Sequence, residues 1–306
     1  MRVAFAGTPQ FAATVLRGLL DSDHEVGLVI SQPDSRRGRG RKTSPTPVAE
    51  LATAEGLTLR QPGRIGELDG EISDYDALVV AAYGQILRAG TLYAARHGAY
   101  NVHASLLPAY RGAAPIERAI MAGEKKTGVS ITRMDEGLDT GPVILRREVP
   151  IPSDMNAGEL ADALALVGSE ALVEALSQVE SGVAELREQD DAEATYAAKI
   201  SAEDRIIRWD RTAEEIRDQV RALSPHIGAR AAHPDFDGPV KVLRASVVEG
   251  DGPPLGIGEI DSGHGRILVG CGTGLLEIEE LQVPGRRPLR AEEFLKGNSF
   301  GGTFTR

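Results

Sequence analysis

Asn101 and His103 stand two positions apart in Tyr100-Asn101-Val102-His103, a short segment that reads as a strand. Side chains alternate along a strand, so the amide and the imidazole share one face while Val102 anchors the other. An Asn amide donates N–H bonds to an oxygen gaining negative charge, and an imidazole donates or shuttles a proton near neutral pH. Taken alone, the spacing favours a plainer reading, a hydrogen-bonded pair that ends a strand. A second cluster, Met134-Asp135-Glu136-Gly137-Leu138-Asp139-Thr140-Gly141-Pro142, is a tight acidic turn between two predicted strands. One of its carboxylates can orient an imidazole from across a site, as in any base held by an orienting acid. Asp139, before Thr140-Gly141, reads equally as an Asx-turn residue, and residue types alone do not choose among the three acids.

Other chemistries fail on their own requirements. The chain has one cysteine, Cys271, and six histidines without ligand spacing, so a zinc site is not expected. The first strand-to-helix turn, Ala6-Gly7-Thr8-Pro9-Gln10-Phe11, lacks the three glycines of a dinucleotide fingerprint, and no phosphate-cradling P-loop occurs. A net charge of −11 over 306 residues argues against a general nucleic-acid coat. Against that background, residues 31–48 carry Arg36, Arg37, Arg39, Arg41 and Lys42 with one acid, Asp34. A basic loop on an acidic body suggests one specific anionic partner; a solvated loop is the equal alternative.

The elements that must position these groups follow from periodicity. Strand-like runs at 2–7, 25–30, 77–82, 100–103, 128–134 and 143–149 alternate with helical patterns at 11–20, 47–55 and 156–179. The run Ala77 to Ala82 is apolar throughout, as in a parallel strand buried on both faces. This is a βα alternation with a mostly parallel sheet, whose sites lie beyond the carboxyl ends of the strands. The chain turns polar and acidic after Gly182, and the texture then changes to one helix at 212–223 and short β-like runs separated by Gly and Pro. The expected architecture is α/β: a Rossmann-like domain over 1–181, a connecting segment over 182–204, and a small OB-like β-barrel over 205–306. No apolar run approaches the roughly 20 residues of a membrane span, so a cytoplasmic protein is expected, and with no long apolar heptad or apolar stripe in the pattern a monomer is expected.

Several segments together resemble the folate-dependent formyltransferase family: Val3-Ala4-Phe5-Ala6-Gly7-Thr8-Pro9, Gln32-Pro33-Asp34, Ala82-Tyr83-Gly84-Gln85-Ile86-Leu87, Asn101-Val102-His103, Ser105-Leu106-Leu107-Pro108, Gly128 to Asp139, and Ala194-Thr195-Tyr196. The basic loop and the C-terminal barrel are similar to the branch that acts on methionyl initiator tRNA. The resemblance implies catalytic roles for Asn101, His103 and Asp139, and 10-formyltetrahydrofolate as formyl donor. It implies that Ser105, Leu106, Leu107 and Pro108, with Tyr83, Gly84, Gln85 and Ile86, bind the folate, and that the 36–42 loop meets the tRNA. The chain departs from the family at Arg88, commonly Pro, and at Ser224-Pro225-His226-Ile227-Gly228-Ala229, commonly Asn-Pro-aromatic-Pro-Gly-Ala. Transfer to a small amine such as glycinamide ribonucleotide or an amino sugar, or tRNA binding without catalysis, stay open at this stage.

Overall fold

The computed structural model describes residues 1–37, 42–250, 252–298 and 300–305. It divides into two compact units, residues 1–115, 126–150 and 161–197 in the first, and 116–125, 151–160 and 198–306 in the second.

The first unit is built on strands β1 (Arg2–Gly7), β2 (Glu25–Ile30), β3 (Ser35–Arg37), β4 (Lys42–Ser44), β5 (Leu59–Arg60), β6 (Ala77–Ala81), β7 (Ala99–His103), β8 (Arg111–Gly112), β9 (Lys126–Arg133), β10 (Val143–Pro150) and β11 (Tyr196–Ala197). Seven of them form one sheet in the order β10-β9-β7-β6-β1-β2-β5. From β7 to β5 the neighbours run parallel, whereas β9 and β10 are antiparallel additions at one edge. The apolar run read from the sequence as doubly buried is β6, all five of whose residues are buried. The helix Gln10–Leu20 turns Ala12, Ala13, Val15, Leu16 and Leu19 inward. The helix Ala157–Glu180 crosses behind β7, where Gly168 lies against Val102 so closely that a Cβ would come within 2.9 Å of Val102 Cγ1. Val102 is thus the anchor on the face away from Asn101 and His103. β3 and β4 pair as a short hairpin that carries Arg36, Arg37 and Lys42 on its backbone, while Arg39 and Arg41 lie outside the described residues.

Part of the segment expected to connect the domains is bonded into the first unit. Val143 and Arg187 exchange backbone hydrogen bonds, and β11 pairs in parallel with β8.

The second unit contains the helix Ala213–Ala222 and the strands β12 (Ala229–Ala231), β13 (Val240–Val247), β14 (Glu259–Asp261), β15 (Ile267–Gly270), β16 (Leu275–Gln282), β17 (Leu289–Arg290) and β18 (Gly302–Thr303). The helix starts on a capping box, with the Thr212 hydroxyl accepting from Glu215 N and the Glu215 carboxylate from Thr212 N. The expected barrel takes the form of a curled antiparallel sheet, β12-β13-β16-β15-β14-β18, with β17 added on β16. Its two end strands meet at one backbone bridge, Ala232 to Thr305. An aromatic cluster fills the curl: Trp209 stacks on Phe304 at 5.0 Å, and Phe300 meets Phe294, Phe304 and His233. Among the described residues, no helix is long and apolar enough to cross a membrane.

Candidate active site

β7 ends at His103, where the chain leaves the sheet in a turn through Ala104 to Pro108. That turn is pinned from β9. The buried Ser130 hydroxyl accepts from Leu107 N at 3.0 Å and donates to the Ser105 carbonyl at 2.7 Å. Ser105 in turn donates its hydroxyl to the Ala109 carbonyl at 2.6 Å. His103, 5% exposed, donates from Nε2 to the Tyr110 carbonyl at 3.0 Å, so its Nδ1 is the nitrogen that faces the site.

The β9–β10 loop brings Asp139 to that nitrogen. Its Oδ1 lies 3.6 Å from His103 Nδ1 and 3.4 Å from Asn101 Nδ2, and its Oδ2 accepts from Gly112 N at 2.8 Å. The other acids of the turn do different work. Asp135 Oδ1 accepts from Gly137 N at 3.0 Å and from the Thr140 hydroxyl at 2.7 Å, so Asp135 is the residue that shapes the turn. Glu136 is exposed. The loop is tight enough that a Cβ on Gly141 would fall 2.0 Å from the Arg133 carbonyl oxygen. Asn101, His103 and Asp139 are therefore brought together at the carboxyl end of a parallel strand, where polar groups of a doubly wound sheet converge.

One strand over, a cavity of about 1010 Å³ opens beyond the ends of β1, β2 and β6. Thr8, Gln32, Arg64, Tyr83, Gln85 and Ile86 are among its lining residues. Its wall is clipped together by side chains: Thr8 Oγ1 and Gln32 Nε2 both donate to the Tyr83 carbonyl, at 2.9 and 3.3 Å. Gln85 bridges Ile65 N, Gly63 O and Gln32. Ile86, 92% exposed, offers apolar surface, whereas the Tyr83 hydroxyl is buried with no hydrogen-bond partner. Burial pushes that hydroxyl's pKa up to about 12, so it remains a donor at neutral pH. Of the residues expected to bind folate, Tyr83, Gly84, Gln85 and Ile86 line this cavity. Ser105, Leu106, Leu107 and Pro108 do not; Ser105 and Leu107 are buried in the pinned turn, while Leu106 and Pro108 are half-buried. A cavity of this size, lined by polar side chains and the exposed apolar Ile86, has room for a drug-sized heteroaromatic ligand. Among the described residues no cluster of His, Cys, Asp or Glu is arranged to hold a metal ion.

Three features of the site are not apparent in local sequence patterns: the Tyr110 carbonyl, the Gly112 N–H, and the side chains of Arg111 and Gln189. Arg111 lies in the run after Pro108, but its partner is 78 positions away in an acidic stretch with no periodicity to mark it.

A parallel-sheet unit with this amide, imidazole and carboxylate at its strand ends, continued by a curled antiparallel sheet, has the build of a formyl-group transferase. The chain belongs to the formyl transferase family: the family profile matches residues 1–176, and the profile of the formyl transferase C-terminal domain matches 199–299. Within the family it is similar to methionyl-tRNA formyltransferases. That of Rubrobacter xylanophilus is 65% identical over 306 residues and covers 100% of both chains. That of Methylobacillus flagellatus is 44% identical and covers 97% of each. Among solved structures, an N-formyltransferase from Helicobacter canadensis, in complex with folinic acid and dTDP-3-aminofucose, shares the fold with a TM-score of 0.66 at 17% identity. That match covers 90% of this chain and 97% of the other.

Proposed function

We propose that this enzyme transfers the formyl group of 10-formyltetrahydrofolate to the free amino group of methionyl initiator tRNA. The observation that carries the reading is the convergence of Asn101 and His103 on one Asp139 oxygen. When bound, the folate supplies a formyl carbon whose oxygen gains negative charge as an amine attacks it. Asn101 offers amide N–H donors to that oxygen, in a site where such donors are worth more than in water. His103 is held by its Nε2 bond to the Tyr110 carbonyl, which leaves Nδ1 to hold a proton between the site and Asp139. Asp139 keeps Oδ2 on the Gly112 N–H and turns Oδ1 to the imidazole and the Asn101 amide; the proton that the amine sheds passes there through water and on to the folate nitrogen, which departs with the electron pair of the broken C–N bond as tetrahydrofolate.

On this reading Tyr83, Gly84, Gln85 and Ile86 form the donor's wall, and the half-buried Leu106 and Pro108 are the members of 105–108 with surface to offer it. The basic segment Arg36, Arg37, Arg39, Arg41 and Lys42 tracks the phosphates of the acceptor stem, with the second unit as a further tRNA face. The protein works as a monomer in the cytoplasm, where initiator tRNA is charged.

The test is formyl transfer from 10-formyltetrahydrofolate to methionyl initiator tRNA, with glycinamide ribonucleotide as a parallel acceptor. Transfer to the tRNA alone is expected, and Asn101→Ala should lower it about 10²–10³-fold while the thermal transition stays in place. Transfer to the small amine alone, or a wild-type rate in Asn101→Ala, overturns the reading.

A further inference from the structure

Arg111 is among the largest side chains that the fold buries completely, at 2% exposure, and a buried guanidinium requires an explanation. Its Nε and Nη2 both donate to Gln189 Oε1, at 3.1 and 2.9 Å, and Nη2 also reaches Asp191 at 2.8 Å. The Gln189 amide nitrogen then donates to two carbonyls of the catalytic loop, Asp139 O at 2.8 Å and Gly141 O at 2.7 Å. A guanidinium is only a donor, so it obliges the amide oxygen to face it and the NH₂ to face the loop. The amide cannot flip while Arg111 is in place.

The backbone around Arg111 closes the same loop from the other side. The Tyr110 carbonyl holds His103, and the Gly112 N–H holds Asp139. Gly112 sits at φ 119 with its Cα so near β11 that a Cβ would come within 2.9 Å of the Ala197 carbonyl oxygen. Asp139 itself sits at φ 55, in the left-handed region that a non-glycine residue keeps only where its surroundings hold it there.

The geometry points to Arg111 and Gln189 as positioning residues, a buried relay that fixes the Asp139 backbone so that its carboxylate meets Asn101 and His103. This rests on the catalytic reading of Asn101, His103 and Asp139 given above. The relay touches no reacting atom. It acts on chemistry through placement, for which an error of about 1 Å costs on the order of 10²-fold in rate.

The decisive variant is Gln189→Glu, which keeps the shape and the pairing with Arg111 but removes both donors to the loop. Full-length protein is assayed for formyl transfer to methionyl initiator tRNA, alone and in an Asp139→Asn background. Gln189→Glu and Gln189→Ala should each lower kcat about 10²-fold, with KM for tRNA and for folate within about twofold of wild type. Arg111→Met, which frees the amide to flip, should follow them, and Arg111→Lys should recover only part of the loss because it lacks the planar fork. In the Asp139→Asn background the Gln189 changes should alter the residual rate less than about twofold, because residues acting as a unit are not additive. A wild-type kcat in Gln189→Glu, or an equal loss with and without Asp139, overturns the relay alone. A wild-type rate in Asp139→Asn and Asn101→Ala overturns the catalytic reading, and the relay with it.

Discussion

Ser130→Ala removes one oxygen, and the structure says what that oxygen holds. Ser130 is fully buried in β9, opposite His103 in the register. Its hydroxyl accepts from Leu107 N and donates to the Ser105 carbonyl, so it closes the turn that follows β7. Alanine fits the space but leaves a buried N–H without a partner, which costs about 1–3 kcal/mol. The lost bond to the Ser105 carbonyl adds roughly 0.5–1.5 kcal/mol. A total of about 3 kcal/mol, at about 3 °C per kcal/mol for a unit of this size, lowers the thermal midpoint by about 9 °C. Ser105→Ala is the control: it releases only the Ala109 carbonyl, at roughly 1 kcal/mol, and should move the midpoint by about 3 °C. Differential scanning calorimetry of the two variants beside the wild type reads both shifts. A Ser130→Ala midpoint within 2 °C of wild type, or below the Ser105→Ala shift, would refute the claim that this hydroxyl holds the turn.

Three further outcomes follow from the second unit. The Arg118 guanidinium grips Asp204 in a two-pronged pair, at 2.9 and 2.7 Å, and holds its carboxyl well below the usual carboxylate range. Its contribution is therefore fully present above the unfolded carboxylate pKa of about 4 and is lost as pH falls towards the lowered one. Urea midpoints should fall below pH 4 more steeply for the wild type than for Arg118→Met. Cys271 is buried, and its thiol pKa is pushed up to about 12 by burial, so a thiol reagent at pH 8 should label it only after denaturation. Phe304→Ala strips the stacking partner from Trp209, the chain's single tryptophan, and should cost about 3–5 kcal/mol with a red shift in fluorescence.

Legibility in the sequence followed the range of the physics. The parallel core strands read as continuous apolar runs because both of their faces are covered, and β1, β2 and β6 were visible for that reason. Asn101 and His103 were legible as one face of one strand, because alternation is a local rule. Asp139 was not separable from Asp135 by residue type, since either could have made the Asx turn; the side chain of Thr140 decides it by bonding Asp135. The buried Arg111–Gln189 contact had no signal at all. Its two halves lie in different segments, and β8 and β11, which bring them together, are two-residue strands too short to show a period. The membership of 116–125 and 151–160 in the second unit is equally a matter of tertiary contact.

The single bridge between Ala232 and Thr305 has a consequence for solubility. A sheet with two open sides presents rows of unpaired N–H and C=O groups that another chain can extend. Here β12 lies at one side and β18 at the other, and residues 302–305 engage both: Thr303 and Gly302 pair with β14, and Thr305 donates its N–H to Ala232. These residues thus act as a selvedge, lying along β14 and catching the end of β12, whose Arg230 is bridged separately by Ile206. Loss of this segment would bare β14 and the end of β12 together, exposing backbone groups open to intermolecular strand addition.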